Sequence, residues 1–433
     1  MKLSMDLRKL NFNSKRTYLL DIFSRLLANH NTWPAIGSLS VVAFYLFQLK
    51  YSWAGLQASG IRGSSKYIDQ ESVLNSAKCF KEIGIEVYKL DAPGGCGGFV
   101  YSIELLRILN FFHLSALSSE FLGTAYMWLT IIALCSLLFL IKNVGKFDIL
   151  VAAFAFVSPG VWLLLERGNY DELIFILVLI SSYLLASRYQ ELGIALLAIT
   201  ALMKFYTLPA FLIAIFFLKR RNSKILFGSI AAPIIIYIFF LIKQVATFPS
   251  TWFISFGLDS PGLYTNLFIK ERISQDLQLP GIAMTLIGVS FIALLLFYFT
   301  KINLSYKIKL NSDLANKRIS MIYITMMTIF LSCFFAGMNY DYRLVYLAAI
   351  LALTPTILAK STFKRVIGIS GCIALGFSTY AFGLTGVPAL AIQLFGDVFL
   401  YIFVSAQLLY LYSVYFKAHD GRILGLLKPP RLG

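Results

Sequence analysis

Leu192-GIALLAITALMKFYTLPAFLIAIFF-Leu218 is the stretch that decides how this chain folds. Read as one helix it crosses a membrane once; read as two, broken at Lys204, it enters and returns. The choice sets the side of every later loop. A single crossing would put Lys219-Arg220-Arg221-Asn222-Ser223-Lys224 on the outer side, against the bias of Lys and Arg toward the cytoplasm. Two half-length helices, 192–206 and 207–218, are therefore expected. At 1.5 Å per residue they reach about 22 Å and 18 Å, short of a roughly 30 Å hydrocarbon core. Their joint, with Lys204, Tyr206 and Pro209, then lies below the outer surface, where irregular backbone is tolerated only if it lines a cavity within the protein.

The rest of the composition agrees with a membrane setting. Of 433 residues, 58% are hydrophobic and only 14% charged, with a mean hydropathy of +0.76. That is too apolar for a soluble fold of this size. The expectation is an all-α polytopic integral membrane protein of about twelve transmembrane helices. Taking about 20 apolar residues per crossing, the spans fall near 33–53, 121–141, 148–165, 171–187, 192–206, 207–218, 225–243, 280–300, 319–338, 343–359, 366–386 and 392–416. With the N-terminus inside, 25 of the 38 Lys and Arg lie on the cytoplasmic side, while 15 of the 21 acids lie outside. The net charge of +17 is thus positive-inside bias, and no nucleic-acid partner is implied. Residues 1–32 read as a basic cytoplasmic arm, 33–416 as one transmembrane domain and 417–433 as a basic cytoplasmic tail with Pro429-Pro430. No small-residue cleavage site follows the first apolar run, so that span is expected to be a retained anchor.

One long polar segment stands out, the outward loop 52–120, which carries seven of the 21 acids: Asp69, Glu71, Glu82, Glu86, Asp91, Glu104 and Glu120. It opens with a candidate helix from Asp69 to Gly84, in which Val73, Ala77 and Phe80 recur at helical spacing. After the break Pro93-Gly94-Gly95-Cys96-Gly97-Gly98, residues 99–117 suit an amphipathic helix in the membrane interface, with Ile103, Leu106, Ile108, Leu109 and Phe112 as its apolar face. Cys79 and Cys96 share this loop and can pair in an oxidising compartment. The three histidines fall on different segments and make no metal set.

Three further polar clusters lie on the same side. Glu166-Arg-Gly-Asn-Tyr-Asp-Glu172 packs four charges between two spans, the Lys204 joint adds a fifth, and Asn339-Tyr340-Asp341-Tyr342-Arg343 forms another turn. Charge at a membrane edge is costly to desolvate and usually has partners or a task. Carboxylates able to act as a general base stand here with Lys and Arg able to hold a phosphate. Each group also has a structural reading: Asp69 as a helix N-cap, Lys204 as a snorkelling side chain, and Glu166, Asp171 and Asp341 as ion-pair partners of Arg167 and Arg343.

At this point the chain resembles a family. Asp69 followed by Ala77, Gly84, Tyr88 and Tyr101, then Gly168-Asn169, then Leu202-Met-Lys204-Phe-Tyr206-Thr-Leu-Pro209, is similar to the pattern of the polyprenol-phosphate-mannose-dependent mannosyltransferases, glycosyltransferase family 87 of the glycosyltransferase C (GT-C) superfamily. The resemblance covers roughly residues 65–220 and thins out beyond. It departs where the family's Gln-x-Asn is Arg167-Gly168-Asn169, which leaves the sugar undefined. No Asp-x-Asp stands near Asp69, only Asp69-Gln70-Glu71, which argues against a metal-dependent variant. The resemblance implies a GT-C-like fold that transfers a hexose, in the family mannose, from a polyprenyl phosphate to a hydroxyl of a glycan or glycolipid acceptor, with inversion and without metal or cofactor. The reaction face would be the outer face of the bacterial plasma membrane or the lumenal face of the ER, of which the bacterial membrane is the one expected. Asp69 would be the catalytic base, and Lys204, Arg343 and Arg167 would bind the donor phosphate. Glu71, Tyr88, Tyr101, Glu166, Asn169, Asp171, Tyr206, Asn339 and Asp341 would line the cavity. Two rival readings are an O-antigen-type polysaccharide polymerase and a flippase or transporter of lipid-linked sugar.

Overall fold

The computed structural model describes residues 32–51, 67–89, 93–96, 99, 101–140, 145–242, 255–256, 258, 279–301, 317–335, 339–357, 362–377 and 387–419. The basic arm up to residue 31, most of the 244–279 loop, residues 302–316 and the tail past His419 lie outside this set. The described helices are α1 (Trp33–Tyr51), α2 (Ile68–Ile83), α3 (Ile103–Phe111), α4 (Ser119–Leu140), α5 (Lys146–Phe156), α6 (Pro159–Arg167), α7 (Asp171–Leu185), α8 (Gln190–Met203), α9 (Leu208–Ile213), α10 (Arg221–Ile242), α11 (Leu279–Lys301), α12 (Lys317–Phe335), α13 (Val345–Ile357), α14 (Thr362–Phe377) and α15 (Val387–His419). The described β-structure is a two-residue antiparallel bridge that pairs Ser255 with Tyr340 and Phe256 with Asn339.

Among the described residues, helices overlap the stretches expected as spans. Five segments among the described residues are long and apolar enough to cross a membrane: Ser119–Leu140, Lys146–Arg167, Arg221–Phe240, Arg318–Phe335 and Ala391–Leu411. Shorter apolar helices include Trp33–Phe47, Gln190–Met203, Ile282–Tyr298 and Val345–Ile357. Many large apolar side chains point outward, among them Phe139, Phe154, Ile236, Phe239, Phe240, Leu286 and Phe297. Such a surface suits a lipid solvent and would be a liability in water. At the centre stands α13, buried on all sides from Val345 to Leu353, as expected of a helix that is apolar all round. Gly371 lets α14 press onto it, since a Cβ there would come within 2.6 Å of the Leu351 side chain.

The 192–218 stretch is a helical hairpin. Gln190 Oε1, at the start of α8, accepts from the backbone N–H of Lys219 at 3.2 Å and of Arg220 at 3.3 Å. Ser223 Oγ donates to Glu191 at 2.6 Å. The chain therefore returns to the level at which it entered. At the tip, Lys204 leaves the helix with extended backbone (φ −144°, ψ 112°), and Leu208 and Pro209 open α9. Proline at a first turn forfeits only an N–H that has no helical partner.

Other pairings join segments that the charge count put on one side. Asp148 holds Lys364 at 2.7 Å, and Arg318 lies 4.6 Å over the Tyr183 ring. At the opposite end, Tyr67 N–H bonds the Glu166 carbonyl at 3.0 Å and Leu258 N–H the Phe334 carbonyl at 3.0 Å.

Two features depart from the expectation. The 148–165 span breaks at Ser158, where Pro159 starts α6 and the Tyr45 hydroxyl takes the Phe156 carbonyl at 2.5 Å; a proline cannot continue the ladder. The apolar face of α3 is not left for lipid: Ile103, Leu105, Leu106 and Leu109 are buried in protein, and Phe111 and Phe112 are the exposed pair. Asn110 Nδ2 ties α3 to α2 through the Ala77 carbonyl at 2.7 Å, and Glu104 and Arg107 both bond the Tyr237 hydroxyl of α10.

Cys79 and Cys96 form a disulfide across a sequence separation of 17. It fastens the turn after α2, and a loop of this size is worth about 3 kcal/mol in chain entropy. Replacing both cysteines by serine is expected to speed hydrogen exchange across residues 84–102 while α4 and α13 stay protected. Unchanged exchange in that segment would show the clasp to be redundant.

Candidate active site

The site is assembled where the entry of α2 meets the turn between α6 and α7. Tyr67, at left-handed φ 62°, precedes α2 without capping it by its side chain. Its ring and backbone lie against two glycines. A Cβ on Gly168 would come within 2.8 Å of the Tyr67 ring and 3.2 Å of its Cα, and one on Gly123 would overlap the same ring. Gly168 itself sits at φ 59° as the C-cap of α6, a conformation glycine adopts without penalty. Gly168→Ala therefore combines backbone strain of about 1–3 kcal/mol with a clash. A lower unfolding temperature is expected, and an unchanged one would mean that Tyr67 can move aside.

This docking brings Asp69 over Arg167. Arg167 donates through Nε to Oδ2 at 3.0 Å and through Nη2 to Oδ1 at 2.5 Å, and Asn169 Nδ2 adds a bond to Oδ2 at 2.7 Å. The fork geometry is the strong form of an arginine–carboxylate pair. Asp69 is thus not the helix cap; its carboxylate reaches across to another segment.

Asn169, 1% exposed, is the hinge of the network. Its Oδ1 accepts from Asp171 N–H at 3.0 Å and from Lys204 Nζ at 3.1 Å, which fixes the amide with Nδ2 toward Asp69. Asp171 is fully buried and collects Lys204 at 2.8 Å, Arg343 Nε at 3.4 Å and the Tyr206 hydroxyl at 2.7 Å. Tyr206 also meets the Tyr346 hydroxyl at 3.3 Å, and Arg343 lies 4.4 Å over its ring. A buried carboxylate is tolerable only with such compensation.

Tyr101 closes the Lys204 side: the ammonium lies 3.9 Å from its ring centroid, and its hydroxyl accepts from Asn169 Nδ2 at 3.4 Å. Burial raises the Tyr101 hydroxyl pKa above its usual range, so it stays neutral. Tyr88 lies beneath, its hydroxyl donating to the Tyr101 carbonyl at 3.0 Å, and burial pushes its pKa up to about 12.

The structure thus joins Asp69, Tyr101, Arg167, Asn169, Asp171, Lys204, Tyr206 and Arg343, drawn from all four polar clusters, with Tyr88 as a support. Glu71 lies exposed on α2. Glu166 contributes its backbone carbonyl to Tyr67. The side chains of Asn339 and Asp341 lie outside the described set; their backbone forms the bridge and the turn that leads into Arg343.

Lys204 holds a different place from the one expected of a first phosphate ligand. Its side chain is 2% exposed, and its three donors face Asp171, Asn169 and the Tyr101 ring. Arg167 and Arg343, at 18% and 15%, are the more exposed cations. Sequence reading also passed over Tyr67, Tyr346 and Gln70, whose amide donates to the Tyr170 hydroxyl at 2.8 Å. Gln70 was visible only as the spacer between two acids. Among the described residues no group of His, Cys, Asp and Glu is disposed to hold a metal ion.

Compared with protein-family models, with curated proteins and with solved structures, the chain gives no match. The functional reading rests on the chemistry of this network and on the first-loop, turn and joint motifs.

Proposed function

We propose that the protein is a GT-C-like membrane glycosyltransferase of about twelve crossings with both termini cytoplasmic. It moves a hexose, by resemblance mannose, from a polyprenyl phosphate to a glycan or glycolipid hydroxyl on the non-cytoplasmic face of a bacterial plasma membrane. The observation that carries this reading is the carboxylate of Asp69 paired with the partly exposed Arg167 guanidinium and joined through Asn169 to Lys204 at the tip of a hairpin that ends inside the protein. In the inverting step the acceptor oxygen bonds to the sugar's anomeric carbon as the bond from that carbon to phosphate breaks. The acceptor's proton passes to Asp69, and the leaving phosphate keeps the electron pair. General-base assistance is worth about 10²–10⁴-fold, and cations in a partly dry site stabilise the charge that grows on the phosphate.

The donor tests this. A single labelled hexose on polyprenyl phosphate should serve the purified protein, with release of the lipid phosphate. If only whole oligosaccharide units on lipid diphosphate are consumed, the protein is a polymerase instead.

A further inference from the structure

We propose that Arg167 and Asn169 form the seat of the donor's phosphate, and that the Asp69 carboxylate fills this seat while no lipid is bound. The inference rests on the reading of the site given above and goes a step further: base and phosphate compete for the same donors.

Three donors converge on Asp69, two from the guanidinium and one from the Asn169 amide, at 3.0, 2.5 and 2.7 Å. Two parallel N–H groups facing a pair of oxygens fit the non-bridging oxygens of a phosphate as well as a carboxylate. The pair is partly open to the outside, Asp69 at 15% and Arg167 at 18%, so an incoming anion can reach it. The other cations are less available: Lys204 is enclosed, and Arg343 is held by buried Asp171.

The same contacts occupy Oδ2 twice and Oδ1 once, so the Asp69 charge is shared among three donors and the carboxylate is held as a weaker base for an acceptor hydroxyl. A phosphate that takes Arg167 and Asn169 releases the carboxylate toward the acceptor. Donor binding then frees the base, and in the empty site the acceptor hydroxyl meets a carboxylate whose charge is already spent on Arg167 and Asn169. Asn169 keeps its place during the exchange, because its Oδ1 is held by Lys204 and the Asp171 backbone.

The test uses the full chain in nanodiscs, with undecaprenyl monophosphate as probe and undecaprenol as the phosphate-free control. Asp69→Asn keeps the size of the side chain but removes the competing charge. It is expected to bind the lipid phosphate about fivefold tighter than the wild type, since an ion pair of this exposure is worth on the order of 1 kcal/mol, with undecaprenol binding unchanged. Arg167→Ala is expected to weaken phosphate binding by tenfold or more, and Asp69→Asn should add nothing on top of it. Arg167→Lys, which keeps the charge without the fork, covers the case in which the alanine variant does not fold. A wild type that prefers the phosphate while Asp69→Asn binds no tighter overturns the shared seat and leaves the glycosyltransferase reading standing. A gain in Asp69→Asn that survives loss of Arg167 also overturns it. Equal binding of undecaprenyl monophosphate and undecaprenol by the wild type would remove the broader reading, and the seat with it.

Discussion

Asp69→Asn is expected to lower glycosyl transfer by about 10²–10⁴-fold, the usual worth of a positioned general base, while the protein still folds and inserts. The amide keeps the shape of the carboxylate and one acceptor oxygen for Arg167, so the structural cost is on the order of 1 kcal/mol. Asp69 is also partly exposed, which limits the penalty of leaving Arg167 less well paired. Rate and stability should therefore separate. Initial rates with labelled polyprenyl-phosphate hexose, set beside thermal unfolding of the same preparation, check this. Turnover at the wild-type rate would remove Asp69 as the base, and a collapse of the fold would mean that the pair is mainly structural.

Asp171→Ala is expected to have the largest effect on stability. The carboxylate is fully buried and takes Lys204, Arg343 and Tyr206 together. Removing it takes away the buried carboxylate that both cations share, and breaking a buried pair from one side costs about 3–5 kcal/mol. That is a large part of the stability of an ordinary domain. Lys204→Met should cost less, because Asp171 then keeps Arg343 and Tyr206. Asp171→Leu combined with Lys204→Met replaces charge with apolar volume and should recover part of the loss without restoring transfer. Unfolding temperatures of purified protein give the order; if Asp171→Ala proves no worse than Lys204→Met, Asp171 is not the centre of the cage.

The apolar helices were legible because apolar length is written directly in composition, and the 192–218 hairpin because the basic run Lys219 to Lys224 favours the side on which the chain entered. The four polar clusters were legible because dense charge between apolar runs is rare. Pairing within the cluster was not. Nothing in the residue order says that Asp69 takes Arg167 and Asn169, so that Lys204 is reached only through Asn169. That follows from the seat of Tyr67 between Gly123 and Gly168, a contact between distant segments. Burial of the apolar face of α3 was equally hidden, since an amphipathic pattern does not distinguish lipid from protein as its apolar neighbour. The break at Ser158 was signalled by Pro159, inside a run whose apolar character read as continuous. The Cys79–Cys96 pair stayed open at the level of sequence, because spacing alone does not bring two loop cysteines within bonding distance.

The most direct measurement follows the label and the lipid together. Purified protein in liposomes would be given polyprenyl phosphate charged with labelled hexose, together with an extract of envelope glycans. Wild type is expected to release free polyprenyl phosphate as label enters the glycan fraction, and neither Asp69→Asn nor Arg343→Ala should do so at a comparable rate. Passage of the intact labelled lipid from one leaflet to the other without cleavage, in wild type and variants alike, would contradict glycosyl transfer and identify a carrier in its place.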